Sequence, residues 1–176
     1  LYYYQQMENA IRENALISPV DASASFYFRR LKSCSGDPLF IKQANAKVIA
    51  ALMNKSQETV NHSFIGKSLV TYENFQKASQ LIDEIFSLDE LKLPNMAHWK
   101  NLRRYLYVMG EATWNEKRDL SRLEKIIDTA AKEEPDAAYL LTARALVEMR
   151  KEKWDLATSL LEAALKKSPG WLIPKY

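Results

Sequence analysis

The side chains in this sequence that could hold a metal ion or begin a nucleophilic attack are few and scattered. There are two histidines, His62 and His98, and one cysteine, Cys34. Neither histidine has a second ligand at the short spacing of metal sites, and a single cysteine forms neither an internal disulfide nor a thiolate cluster. The simpler interpretation places both histidines on helix surfaces, and the sequence predicts no metal site.

The other polar residues form no catalytic pattern either. The sequence has four glycines, no glycine-rich phosphate loop and no serine in a nucleophile-elbow motif. The carboxylate pairs Asp83/Glu84 and Glu133/Glu134 fall where helix periodicity predicts solvent faces. We therefore predict a protein that is not an enzyme and that uses no cofactor.

One segment combines aromatic and basic residues as some nucleic-acid-binding helices do. Residues 99–105 read WKNLRRY, and such a helix could contact phosphates and stack on bases. The net charge of the chain is only +3, however, which is small for a dedicated nucleic-acid module. The favoured interpretation is a helix that buries Leu102 and Tyr105 and leaves its basic residues in solvent.

The elements that position these residues are predicted to be helices. Apolar residues recur at helical spacing along the chain, without the sustained alternation of strands, so we predict an all-α fold. Start signals at Ser18-Pro19 and Asp37-Pro38 predict helices that end near Cys34 and near Asn54. Later helix pairs are predicted to turn at residues 71–74, 116–119 and 150–153. No apolar run is long enough to cross a bilayer, so we predict no membrane insertion.

Three predicted second helices share one apolar pattern. Each has four apolar residues at positions i, i+3, i+7 and i+10, which form one helix face. The sets are Phe75, Ala78, Ile82, Ile85; Leu120, Leu123, Ile127, Ala130; and Trp154, Ala157, Leu161, Ala164. The last two sets are 34 residues apart, as are Pro135 and Pro169. A fixed period of this length indicates a repeat architecture.

This pattern resembles the tetratricopeptide repeat, a 34-residue helix-turn-helix with a small residue in its first helix and an alanine in its second. Residues 138–171 match best, with Ala145 in the first helix. Residues 59–92 match well, with Gly66, and residues 104–137 depart most, because Leu123 replaces the alanine and Gly110 lies one residue early, which implies a longer turn. These small residues are expected where paired helices cross closely.

The resemblance implies a right-handed α-α superhelix, a solenoid of antiparallel helix pairs that forms a single domain over residues 1–176. Residues 1–58 look like further, degenerate helix pairs. In this family the first helices line a concave groove that binds a partner protein. By position, the resemblance assigns to this groove Ser63, Lys67, Val70, Arg104, Tyr107, Glu111, Trp114, Tyr139, Thr142, Leu146 and Arg150.

Such a groove would be aromatic with several cations, and it would suit a peptide or domain with apolar anchors and an acidic flank. The alternative is that Tyr107, Trp114 and Tyr139 pack between neighbouring repeats. Family members that serve as chaperone adaptors hold a C-terminal carboxylate with a Lys/Asn/Arg clamp. The matching positions here, Ser63, Lys67, Val108, Tyr139 and Ala143, retain only the lysine, so we do not predict that role.

Two other functions stay open. The final segment, LLEAALKKSPGWLIPKY, resembles repeats in bacterial proteins that carry a phosphoacceptor receiver domain, which would make this chain a signalling output module. A regulator that binds nucleic acid through residues 99–105 is a less favoured hypothesis. The aromatic start at Leu1 to Tyr4 and the apolar segment Trp171 to Ile173 are unusual for solenoid ends, which normally present polar faces. They suggest neighbouring helices of a longer protein, or self-association through the terminal helices.

Overall fold

A computed structural model of the chain describes residues 1–65, 70–88, 94–117 and 119–170. Within these residues the chain forms eight α-helices and no strand, which confirms the predicted all-α fold class. The superhelical arrangement of helix pairs stays a prediction. The helices are α1 (Tyr2–Arg12), α2 (Ala24–Cys34), α3 (Pro38–Ile65), α4 (Tyr72–Leu88), α5 (Met96–Trp114), α6 (Leu120–Glu133), α7 (Ala138–Arg150) and α8 (Trp154–Lys167).

One of the two predicted helix starts is correct and the other is wrong. The Asp37 side chain accepts hydrogen bonds from the backbone N–H groups of Leu39 and Phe40 at 2.9 and 3.2 Å, and it caps α3 as expected. Helix α2, by contrast, begins after Ser23, whose hydroxyl accepts from the N–H of Phe26 at 3.2 Å. The Ser18-Pro19 motif lies in the preceding turn, since such dipeptides are as suitable for turns as for helix starts.

Helix α3 is also longer than predicted. The expected break between residues 54 and 59 is wrong, because α3 continues without interruption for 28 residues to Ile65. This stretch has neither glycine nor proline to stop a helix, and the buried Ser56 donates its hydroxyl to the carbonyl of Leu52 at 2.9 Å. The first helix of the predicted 59–92 repeat is therefore the end of α3 and not a separate element.

The chain divides into two compact units, and the first comprises residues 1–57 and 80–94. Its core is an apolar cluster to which α1, α2, α3 and α4 contribute, among others, Met7, Phe28, Val48 and Ile85. Burial of these side chains stabilises the unit, because helices as short as α1 and α2 are only marginally stable in isolation.

Ion pairs surround the core of the first unit. Lys47 on α3 donates to Glu8 on α1 at 2.6 Å and to the hydroxyl of Tyr4 at 2.5 Å, and its ammonium lies 5.1 Å from the centre of the Tyr4 ring. The two hydrogen bonds raise the pKa of Lys47 to about 12. Arg29 on α2 pairs with Glu84 on α4 at 2.7 Å. The prediction that Glu84 faces solvent is wrong, because its carboxylate is half-buried against Arg29.

The second unit comprises residues 58–79 and 95–176. In it α5 packs against α6 and α7, and α7 also packs against α6 and α8. Tyr105 of α5 lies at the centre with no exposed surface. Its ring stacks on Phe64 at 5.7 Å and meets Tyr139 edge-on at 5.4 Å, so α3, α5 and α7 share one aromatic core.

Gly110 lies at a close helix approach, but its neighbour is not the predicted one. A Cβ atom at this position would lie 3.3 Å from the Cβ of Phe75 and 3.4 Å from the ring of Tyr72, both on α4, whereas we expected the paired helix α6. The longer turn implied by this glycine is present, since α5 ends at Trp114 and α6 begins at Leu120, whereas α7 ends at Arg150 and α8 begins at Trp154. Gly66 lies outside the described residues.

Helix α8 buries a narrower face than its sequence predicts. Ala157 and Ala164 are buried, but Leu161 is half-buried and Trp154 is 58% exposed. The expectation that Trp154 belongs to the buried face is therefore wrong. Two alanines at the contact let α7 and α8 approach closely, and the bulky Trp154 lies at the edge of that contact.

Candidate partner-binding surface

The residues assigned to a groove fall mainly on α5 and α7, two helices that pack side by side. Ser63 lies on α3, where its hydroxyl donates to the carbonyl of Val60 at 2.6 Å and shares a hydrogen bond with the hydroxyl of Tyr105 at 3.1 Å. Lys67 lies outside the described residues. Val70, before α4, is half-buried. Ser63 therefore belongs to the packing of the unit rather than to an open surface.

Tyr139, at the start of α7, is buried and joins a polar cluster at the end of α6. Its hydroxyl donates to Glu134, whose other oxygen lies 2.9 Å from Nδ1 of His98 on α5. Burial alone would raise the pKa of Glu134, but the hydrogen bonds from Tyr139 and His98 outweigh burial and lower it. Burial, and then the bond to Glu134, raise the pKa of Tyr139. The cluster links α5, α6 and α7.

This cluster corrects one expectation drawn from helix periodicity. Glu134 was predicted to face solvent, yet it is half-buried and pairs with His98. The prediction failed because Glu134 follows the last residue of α6, where helical periodicity no longer describes the direction of a side chain. The adjacent Glu133 pairs with Arg104 of α5 at 2.9 Å.

Arg104 is consequently engaged within the unit. Besides Glu133, its guanidinium donates to the side-chain oxygen of the buried Asn101 at 2.6 Å. A guanidinium neutralised by a carboxylate contributes little to a phosphate-binding surface, so this helix loses one of the cations on which a nucleic-acid interface would depend.

Tyr107 and Glu111, in the middle and second half of α5, also contact neighbouring helices. The guanidinium of Arg122 on α6 lies 6.0 Å from the centre of the Tyr107 ring. Glu111 accepts a hydrogen bond of 3.0 Å from the hydroxyl of Tyr72 on α4, and this bond raises the pKa of Tyr72. Both side chains are half-buried, so they present only part of their surface to a partner.

Trp114 and Arg150 differ from the other assigned residues. Trp114, the last residue of α5, is 45% exposed. Arg150, the last residue of α7, donates from Nε to the carbonyl of Ala112 at 2.9 Å and from a terminal nitrogen to the carbonyl of Thr113 at 3.1 Å. These carbonyls belong to the last turn of α5 and have no partner within their own helix, so Arg150 caps α5.

The cap places a cation on the last turn of the helix that ends at the exposed Trp114. Arg150 is itself exposed, although two of its nitrogens are held by backbone oxygens. On the same helix Leu146 and Thr142 are half-buried, and Thr142 donates its hydroxyl to the carbonyl of Ala138 at 3.2 Å. Trp114 and Arg150 are thus the last residues of α5 and α7, and the guanidinium of Arg150 lies on the last turn of the helix that ends at Trp114.

Two positions of the carboxylate clamp in chaperone adaptors are closed here. Val108 and Ala143 have no exposed surface. Any side chain at these two positions would be buried between helices and could not contact the carboxylate of a partner.

No family model, no curated protein and no solved structure matches this chain. In the described part of the chain, His, Cys, Asp and Glu form no group of three that could hold a metal ion. No helix among the described residues is both long and apolar enough to span a bilayer. A functional interpretation therefore depends on the chemistry of the surfaces described above.

Sequence reasoning located Trp114 and Arg150 but missed the capping of α5 by Arg150, as well as the cluster of Glu134, His98 and Tyr139. An arginine at the last position of a helix is a recognised signal for carbonyl capping, yet it does not say which helix is capped. The cluster joins residues that are 36 and 5 positions apart. Only the packing of three helices brings them together, so no local pattern could have indicated it.

Proposed function

We propose that the second unit is a protein-binding module of the tetratricopeptide-repeat type, and that it binds a segment of a partner protein at the carboxyl ends of α5 and α7. The 34-residue period and the packing of α7 against both α5 and α6 support this architecture. Its scaffold is not catalytic, and its role is to hold a small number of contact residues in a fixed arrangement.

The observation that carries the proposal is that Arg150 caps the last turn of α5, the helix that ends at the exposed Trp114. Tryptophan and arginine are the residue types most enriched among those that dominate binding energy at protein interfaces. Here the arginine is already ordered by two hydrogen bonds to α5. A partner would therefore not have to pay the full entropic cost of fixing this long side chain.

Three other residues assigned to the groove hold in place the helices that carry this surface. Tyr139, Arg104 and Glu111 bind neighbouring helices through their polar atoms. They fix the relative positions of the helices that carry Trp114 and Arg150. Replacing them would change binding indirectly, by moving those two side chains, rather than by removing a contact.

The chemistry of the pair defines the ligand. An exposed indole ring favours an apolar anchor such as leucine or phenylalanine, and an exposed guanidinium favours a carboxylate within the same segment. We therefore expect a peptide in which an apolar side chain lies a few residues from an aspartate, a glutamate or a carboxyl terminus.

The test is a selection of peptides from a displayed random library, followed by fluorescence anisotropy with the selected peptides. We expect the selected sequences to combine an apolar anchor with an acidic residue. Trp114→Ala and Arg150→Ala should each weaken binding about 10-fold or more, as truncation of a dominant contact residue does. Thermal unfolding of each variant separates lost contact from lost structure.

Leu156→Ala is the matched control, because Leu156 has the same 45% exposure as Trp114 but lies on α8. It should leave the peptide affinity unchanged. Peptides that bind equally well to wild type and to the folded Trp114→Ala protein would contradict the proposed surface.

A further inference from the structure

Helix α8 carries an apolar stripe that is distinct from the surface at Trp114. The stripe consists of Trp154, which is 58% exposed, Leu161, which is half-buried, and Leu165, which is 38% exposed. These residues are seven and four positions apart, so they lie on one side of the helix. That side is adjacent to the one on which Ala157 and Ala164 contact α7.

The spacing of the stripe is that of a helix–helix contact. Together with Thr158, its members follow at intervals of four, three and four residues, the alternation that lets two helices pack along their lengths. An exposed tryptophan and an exposed leucine on such a seam are unusual on a helix that faces only water.

Helix α6 shows what the corresponding side of a helix does within this chain. Ile127, which precedes Leu161 by 34 residues, is only 2% exposed. Beside it Glu124 and Asp128 both bind Arg144 of α7, so this side of α6 is covered by another helix. On α8 the same side bears apolar side chains that are as large or larger, yet Trp154 and Leu165 are exposed and Leu161 is only half-buried.

The charges along α8 indicate which helix would cover this side. The first turn carries Asp155 and the last turn carries Lys166. They are eleven residues apart and therefore lie on the same flank of the stripe. When two α8 helices pair antiparallel about a two-fold axis, this flank of both copies lies on the same side of the contact and Asp155 of each lies opposite Lys166 of the other. In a symmetric parallel pair the two flanks would lie on opposite sides of the contact and this charge pair would not form.

We propose that the stripe is a self-association surface through which two copies of the chain pair their α8 helices antiparallel about a two-fold axis. Trp154 of one copy then packs toward Leu165 of the other, and the symmetry repeats this contact and the charge pair. Because α8 has 14 residues and is about 20 Å long, the contact is at the small end of protein interfaces. The dimer dissociates in the range of about 10–100 µM.

The test is sedimentation equilibrium of the chain between about 1 µM and 500 µM, the range that brackets this dissociation constant. The apparent mass should rise from 20.3 kDa toward twice that value. Leu165→Glu places a charge within the contact and should leave the chain monomeric throughout. Leu156→Glu is the control, because Leu156 is also an exposed residue of α8. It lies nine residues from Leu165 and therefore on the opposite side of the helix. This variant should dimerise like the wild type.

A charge reversal tests the antiparallel orientation separately. Lys166→Glu should weaken the dimer by about 3- to 10-fold, and adding Asp155→Lys to it should restore the affinity. A chain that is monomeric at every concentration overturns the proposal, and so does a dimer that Leu165→Glu leaves intact. A double variant no tighter than Lys166→Glu overturns the antiparallel pairing. Circular dichroism of each variant shows that α8 is retained.

Discussion

Helices α6 and α8 have the same apolar pattern 34 residues apart, but they are held in different ways. In α6, Leu123, Ile127 and Ala130 are all buried, and two acidic residues bind Arg144 of α7. In α8 the buried residues are Ala157 and Ala164. Its last turn adds an ion pair between Lys167 and Asp136, which is 90% exposed.

The difference shows that a repeated pattern specifies which side of a helix is apolar, but not how much of that side is covered. Coverage depends on how many helices pack against the element. Helix α6 contacts both α5 and α7, and α7 supplies the arginine that neutralises its acidic residues. Within the described part of the chain, the helix that packs closely against α8 is α7. The same sequence periodicity thus supports a core helix in one case and an exposed apolar stripe in the other.

Among the substitutions that test this difference between α6 and α8, the largest loss of stability should come from replacing Arg144, which joins α7 to α6. Its guanidinium binds Glu124 at 2.6 Å and Glu148 at 2.8 Å, and it also binds Asp128. Glu148 is only 1% exposed. Arg144→Met should lower the free energy of unfolding by about 3 kcal/mol, because it leaves a buried carboxylate with one strong partner fewer. Urea unfolding at pH 7 measures the change.

The matched control is Lys167→Met, which removes the peripheral ion pair of α8. Because Asp136 is 90% exposed and solvent screens the pair, this substitution should cost far less stability than Arg144→Met. Equal losses of stability in the two variants would show that the attachments of α6 and α8 do not differ as the structure indicates.

A direct comparison of corresponding apolar residues should give the next largest effect. Ile127→Ala creates a cavity between helices and should cost about 3 kcal/mol. Leu161→Ala, at the corresponding position of α8, removes a half-buried side chain and should cost about 1 kcal/mol. Both are measured by urea unfolding at about 1 µM protein, below the range in which we expect self-association. A loss at Leu161 as large as that at Ile127 would mean that the α8 stripe is covered within the monomer.

Enlarging a side chain on α7, which packs against both α6 and α8, should have a smaller effect on stability. Ala145 of α7 has no exposed surface, so Ala145→Leu should overpack the helix contact and cost about 2 kcal/mol. Ala50→Leu, at an exposed position of α3, should change stability by less than about 0.5 kcal/mol. An unchanged thermal midpoint for Ala145→Leu would be incompatible with the close crossing that its sequence position predicts.

Much of the helical organisation could be predicted from the sequence because its signals are local. The turns at 116–119 and 150–153 and the cap at Asp37 each depend on a few adjacent residues. The errors arose where a local signal has two outcomes. Ser18-Pro19 suits both a turn and a helix start, and the polar stretch before Thr59 suits both a loop and the exposed side of a continuous helix.

The candidate surface was less predictable, because its geometry depends on contacts between distant residues. Arg150 lies at the end of α5 because it donates to the terminal carbonyls of that helix, which ends 36 positions earlier at Trp114. Glu134 appeared solvent-exposed because periodicity assigns a direction only to residues within a helix. Nothing local to Glu134 indicates that His98 and Tyr139 converge on it.

The smallest expected effect concerns this carboxylate, which anchors the end of α6 and has no counterpart in α8. The hydrogen bonds from Tyr139 and His98 hold the pKa of Glu134 below the ordinary glutamate value of 4.5 despite burial. A carboxylate whose pKa is lowered by folding stabilises the fold above its unfolded pKa, and this contribution is lost as the pH falls through the folded pKa. The free energy of unfolding of the wild type should therefore exceed that of Glu134→Gln by about 0.5–1 kcal/mol at pH 6. The difference should shrink as the pH falls below about 4.5.

Thermal midpoints measured from pH 6 to pH 3 test this expectation for the wild type, Glu134→Gln and Tyr139→Phe. Tyr139→Phe removes one hydrogen-bond donor, so its thermal midpoint should lie between those of the other two proteins. Parallel pH profiles for all three proteins would mean that the cluster fixes the end of α6 by its shape alone and not by the charge of Glu134.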